Sequence, residues 1–133
     1  GRKMEQSKQG AFDPTIGAKA KTDIVSRELV AQKVSLGKPA RKAGEDLREY
    51  RLRSQVTGKL MEAEISRLVS DPRYSQLPDI KSGDESRNLL IKKAANHGRA
   101  YINKLTNDDR YKAMTVPQRL EFLRDLTAPK GSK

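Results

Sequence analysis

Ile65-Ser-Arg-Leu-Val-Ser-Asp-Pro-Arg-Tyr-Ser-Gln-Leu77 returns 37 residues later as Ile102-Asn-Lys-Leu-Thr-Asn-Asp-Asp-Arg-Tyr-Lys-Ala-Met114. Ile, a basic residue, Leu, Asp, Arg, Tyr and a long aliphatic side chain fall in register. Each copy begins as the apolar end of a helix, passes through Asp-x-Arg-Tyr and leads into a new helix start. That start is Ser82 with Glu85 after the first copy and Thr115 with Gln118 after the second. In such a pair the hydroxyl accepts from a backbone N–H three residues on, while the Glu or Gln reaches back to the cap. The repeat therefore predicts three helices joined by two like connectors. Connections this short favour antiparallel neighbours, giving an up-down-up arrangement.

Within each connector the residue types suit a turn. Asp71 and Asp108 can accept from the backbone N–H groups that follow, and Pro72 presets the first turn where Asp109 stands in the second. Tyr74 with Leu77, and Tyr111 with Met114, are expected to form a small apolar plug between the helices being joined. Arg73 and Arg110 are expected to pair with a carboxylate or stack on a ring. Two Arg and two Tyr could instead recognise a ligand or nucleic acid, but repetition at the same point of two turns favours a structural role.

Outward from the connectors, the middle helix reads from about Gly83 to Thr106. Arg87, Leu90, Ile91, Ala94, Gly98, Tyr101, Ile102 and Leu105 recur three and four apart in it. Gly98 costs roughly 1 kcal/mol of helix propensity against Ala, which implies either a close approach by another backbone or a bend. A longer helix precedes the first connector, from about Glu45 to Ser70, with Glu45, Asp46 and Glu49 at the positive end of its dipole. A last helix runs from about Val116 to Leu126.

Four segments follow: an extended basic arm over 1–22, a short helix and basic linker over 23–44, a helical domain over 45–128 and a tail over 129–133. The arm holds Gly10, Pro14 and Gly17 among polar residues, with Phe12 and Ile16 as its large apolar side chains. Thr22 or Asp23 is expected to cap the short helix, and Gly37 to take the left-handed position after it. The chain begins without Met and ends in a linker-like run, and an excerpt from a longer polypeptide is one reading of that.

Hydrophobic and charged residues are nearly equal, at 35 % and 34 %, and Trp is absent, so the core must be aliphatic and thin. A net charge of +11 attracts polyanions without selecting among them. The densest basic stretch supplies the candidate contact: Lys38, Arg41, Lys42, Arg48, Arg51, Arg53 and Lys59. A solvated basic face paired along the helix with Glu45 and Glu49 is the other reading of those residues. With no Cys there is no thiolate nucleophile or Cys-type metal site. His97 is the single histidine, the carboxylates show no metal-loop spacing, and no glycine-rich phosphate loop occurs. No catalytic site, metal or cofactor is therefore expected. No apolar run is long enough to span a membrane.

Leu47-Arg-Glu-Tyr-Arg-Leu-Arg53 heads the long helix. Leu68-Val-Ser-Asp-Pro-Arg-Tyr-Ser-Gln-Leu-Pro-Asp79 and Asn107-Asp-Asp-Arg-Tyr-Lys-Ala-Met-Thr-Val-Pro-Gln118 follow. From about Glu45 to Ala128 this pattern resembles helical segments of large virion proteins of tailed bacteriophages, including internal proteins ejected with the DNA. In those a helix ending in Asp-x-x-Tyr-x-x-Leu is followed by another helix. The resemblance implies a non-enzymatic structural part of a virion, assembled in the host cytoplasm. It would bind other virion proteins or copies of itself and lie near packaged DNA. A free-standing basic nucleic-acid-binding module is the alternative expectation.

Overall fold

The computed structural model describes residues 14–128, with side chains from Asp23 onward. The protein is all-α, and no strand occurs among the described residues. Helix α1 spans Pro14–Ala31, α2 Leu47–Val69, α3 Pro72–Ser75, α4 Ser86–Thr106, α5 Asp109–Lys112 and α6 Val116–Leu126, with a 3₁₀ turn at Ile80–Ser82. The short α3 and α5 are the two Asp-x-Arg-Tyr connectors. None of the described helices is long and apolar enough to cross a membrane.

Helix α2 is the axis of the molecule. Asp46 caps it by accepting from the N–H groups of Arg48 and Glu49. Its second half packs Met61 and Ile65 against Val25 of α1, Tyr74, and Ile91 and Ala95 of α4. Its first half packs Val56 against Ile102 of α4, Tyr111, and Leu123 of α6. Helices α2 and α4 run antiparallel, so each gives one half to each of these two small aliphatic clusters. They touch closely where they cross: a Cβ on Gly98 would lie 2.9 Å from the backbone nitrogen of Met61. Close packing, rather than a bend, is what the missing side chain serves.

Four sequence expectations are corrected. Residues 14–22 are helical and belong to α1, so the extended arm over 1–22 does not hold there; residues 1–13, like the tail over 129–133, lie outside the described residues. Pro14 sits in the first turn, where no N–H is needed, and Ala18, Lys19, Ala20 and Lys21 are good helix formers. Thr22 and Asp23 are therefore interior residues rather than caps. At the other end α1 stops at Ala31, and Lys33, not Gly37, takes the left-handed position, at φ 57°. The N–H of Val34 bonds back to Leu29 O and that of Lys33 to Val30 O, a Schellman closure that brings apolar Val34 and Leu29 together.

The remaining correction is at the entry to α4. Thr115 and Gln118 form the expected capping box of α6, but Ser82 and Glu85 do not form one for α4. The Ser82 hydroxyl donates to Asp79 O in the 3₁₀ turn, and Gly83 follows at φ 85°. Asp84 instead accepts from the N–H of Ser86, where the helix begins. Extra chain between the first connector and its next helix leaves room for this detour. Between the second connector and α6 the chain is shorter.

Candidate functional site

The connectors are built alike down to their bonds. Asp71 accepts from the N–H of Arg73 at 2.9 Å, and Asp108 from that of Arg110 at 2.8 Å. The same carboxylates pair with the exposed guanidinium groups of Arg73 and Arg110, at 2.6 and 3.1 Å. These donors hold both aspartates down at a pKa of about 2, the Arg side-chain bond being the larger cause in each. Tyr74 and Tyr111 are each 4 % exposed. Leu77 packs against the first apolar cluster and Met114 against the second.

Each tyrosine closes a clamp drawn from two further helices. The Tyr74 hydroxyl donates to Glu28 of α1, and Arg87 of α4 stacks on its ring at 4.9 Å while lying 3.6 Å from the Glu28 carboxylate. The Tyr111 hydroxyl donates to Glu49 of α2 at 2.6 Å. Arg119 of α6 stacks on that ring at 5.2 Å and pairs with Glu49 at 3.2 Å. Both arginines also donate to connector carbonyls: Arg87 to Ser75 and Leu77, Arg119 to Tyr111 and Lys112. Burial first, then the neighbouring carboxylate, pushes both phenol pKa values up. These clamp partners escape a reading of the connectors alone because they sit on other helices at unequal separations. One signal existed: Arg87 and Arg119 each stand four residues before a fully buried aliphatic, Ile91 and Leu123.

The seven basic candidates are divided by the structure. Arg53 is withdrawn from any surface: it is 2 % exposed and bonds Glu45 through Nε at 2.7 Å and Nη2 at 2.9 Å. Glu45 itself is buried before the helix starts, which is why the pair forms eight residues apart rather than along a helix face. Burial opposes its charge, but the bonds from Arg53 and from the Lys42 N–H prevail and hold its pKa below the ordinary value. Arg41 is spent on the Glu45 carbonyl, to which Nε and Nη2 both donate. Lys42 turns toward the second connector and donates to Thr106 and Asn107 at 3.2 and 3.3 Å. Partial burial and then the Arg53 charge lower its pKa.

Arg41 and Lys42 stay exposed despite these bonds, as do Lys38, Arg48, Arg51 and Lys59. Of these, Lys38, Arg48 and Arg51 border a pair of depressions along the outer face of α2. A groove of ≈ 480 Å³ lies between α2, α1 and the linker, with Val25, Leu29, Leu36 and Met61 in its walls. A second, of ≈ 370 Å³, lies between α2 and α6 over Leu52 and Leu120. Arg51 and Gln55, both exposed, line both and stand between them. Arg124 of α6 joins Arg48 and Arg51 around the second depression, a cation outside the basic stretch that drew attention in the sequence. Arg48 is paired with Asp46. The candidate site is thus an apolar-walled groove with a cationic rim, not a uniformly basic face.

His97 lies outside it, exposed and 3.0 Å from Glu64. Among the described residues no group of His, Asp and Glu could hold a metal ion. In comparisons with known proteins, no family model, no curated protein and no solved structure matches this chain.

Proposed function

We propose that this chain is a non-enzymatic assembly module of a bacteriophage virion, which binds other virion proteins through the α2 groove and lies near packaged DNA. The resemblance of the two connector helices to virion segments motivates the setting. The observation that carries assembly over nucleic-acid binding is the fate of the basic stretch. Arg53 is buried against Glu45, Arg41 and Lys42 are tied into the fold by hydrogen bonds, and Lys38 and Arg51 rim a groove with apolar walls. Phosphates make no use of such walls; a protein surface does. A non-enzymatic role fits the interior carboxylates, since Glu45, Glu49 and Glu28 are each engaged by an arginine that fixes the fold.

The net charge of +11 favours the second reading, a nucleic-acid module. A module contacting about five phosphates loses affinity for duplex DNA with salt at a logarithmic slope near −4 to −5. The assembly reading expects weak duplex binding at physiological salt and a much shallower slope. Tight binding with the steep slope, reduced by about two when Arg51 and Lys59 are both changed to Gln, would overturn it.

A further inference from the structure

We propose that the occupant of the α2 groove is an amphipathic α-helix with an acidic face, supplied by a partner protein. This rests on the assembly reading and names the chemistry of the partner. The argument begins with length. Tyr50 and Glu62 mark the ends of the stretch of α2 that lines the groove, and at 1.5 Å per residue they are about 18 Å apart, the length of a helix of about three turns.

Depth comes next. Ser54 and Gly58 lie along the floor, and a Cβ built on Gly58 meets nothing within 4 Å. Gly98, on the opposite side of the same helix pair, is pressed against backbone by a helix already in place. Gly58 has the same small profile with no described atom packed on it. Small residues at such a point let two helix backbones approach closely, and the apolar walls from Val25, Leu29 and Met61 can receive side chains three and four apart.

Charge selects the occupant. Lys38 and Arg51 line the groove and Arg48 and Arg124 the depression beside it, while Glu62 is the one carboxylate lining either among the described residues. A helix carrying Asp or Glu beside its apolar stripe is drawn in, whereas a second copy of a chain at +11 is repelled. DNA would satisfy the rim but leave the walls wet.

The test is selection by the full chain from a displayed library of helices of about 15 residues. All carry one apolar stripe, and their remaining face is acidic, basic or neutral. Acidic helices should be enriched. Gly58→Leu, whose Cβ meets no described atom within 4 Å, should weaken the selected helices by about tenfold or more and leave thermal stability unchanged or raised. Arg51→Glu should weaken them at low salt and much less at high salt. No enrichment, equal enrichment of basic faces, or indifference to Gly58→Leu overturns the proposal. So does duplex DNA that displaces the helices while its own affinity ignores Gly58→Leu. These outcomes are separable from failure of the assembly reading, which the steep salt slope for duplex DNA alone decides.

Discussion

The clamp around Tyr74 and the clamp around Tyr111 share a design and differ in what surrounds it. Four residues after the accepting glutamate stands Gln32 in the first and Arg53 in the second, both almost wholly buried. Gln32 binds Glu28, accepts from the N–H of Ile80, and receives Asn88 on its carbonyl at 2.6 Å. The first clamp is thus extended by amides, at the cost of one buried oxygen, Asn88 Oδ1, without a protein partner among the described residues. The second is extended by charge, through Arg53, Glu45 and Lys42. Residue 120, which follows Arg119 as Asn88 follows Arg87, is Leu. One turn geometry therefore accepts two different polar interiors. The turn is set by Asp, Arg and Tyr, and the neighbourhood by whatever strand of chain the neighbouring helix leaves nearby.

The largest expected effect separates those interiors. Arg53→Met leaves Glu45 buried without its bonded counter-ion, and loss of one partner of a buried pair costs about 3–5 kcal/mol. Gln32→Met removes amide bonds, one of them to the Glu28 carboxylate, and leaves the Ile80 N–H without its acceptor, at about 1–3 kcal/mol. Urea unfolding of both variants measures the difference. Adding Glu45→Gln to Arg53→Met should return part of the loss, because the stranded charge goes. If the two single changes cost the same and Glu45→Gln restores nothing, the second clamp is not charge-based in any useful sense.

A smaller effect tests whether the two halves are mechanically joined. Gly98→Ala places a methyl against the backbone of α2, and overpacking of this kind costs about 1–3 kcal/mol, offset by up to about 1 kcal/mol of helix propensity. Because α2 and α4 give half their length to each cluster, spreading them should loosen both clamps together. Near-ultraviolet circular dichroism of Tyr74→Phe and Tyr111→Phe backgrounds reports each ring separately. Loss confined to one tyrosine breaks the picture of a shared crossing. Gly58→Ala, on α2, is the control and should be neutral or stabilising.

Legibility in the sequence followed the range over which each feature is encoded. The connectors were readable because Asp, Arg and Tyr act within four residues of one another, and the Thr115–Gln118 cap for the same reason. The start of α4 was misread because Ser82 with Glu85 has the spacing of a capping box, yet a 3₁₀ turn and Gly83 intervene and Asp84 takes the task. The arm was misread at residues 14–22 because Pro14 and Gly17 signal a break only in a helix interior, and the first turn tolerates them. Arg53 was the costliest error for the site. Its neighbours Arg48 and Arg51 are exposed, and nothing within one helical turn reveals that Glu45, still in the linker, folds back to bury it. Pairings such as Glu28 with Tyr74 depend on tertiary packing, which residue spacing does not carry.

The smallest expected effect concerns what the clamps have in common. Asp71 and Asp108 both titrate at about 2 in the fold, against an ordinary value of 3.8. A carboxyl whose folded pKa is depressed adds stability that is fully present above its unfolded pKa and is lost as pH falls through the folded one. Stability should therefore decline from about pH 4 to about pH 2, with both turns contributing alike. Asp71→Asn and Asp108→Asn keep an acceptor for the backbone N–H but lose the ionised partner of Arg73 or Arg110. Each should remove a similar share of that acid dependence in thermal melts followed against pH. Glu45, whose pKa is also lowered, adds a third share that belongs to the second clamp alone, and Glu45→Gln isolates it. If the two aspartates contribute unequally once Glu45 is removed, the repeated connectors match in sequence and geometry but not in energy, and the equivalence on which the fold was read fails at its origin.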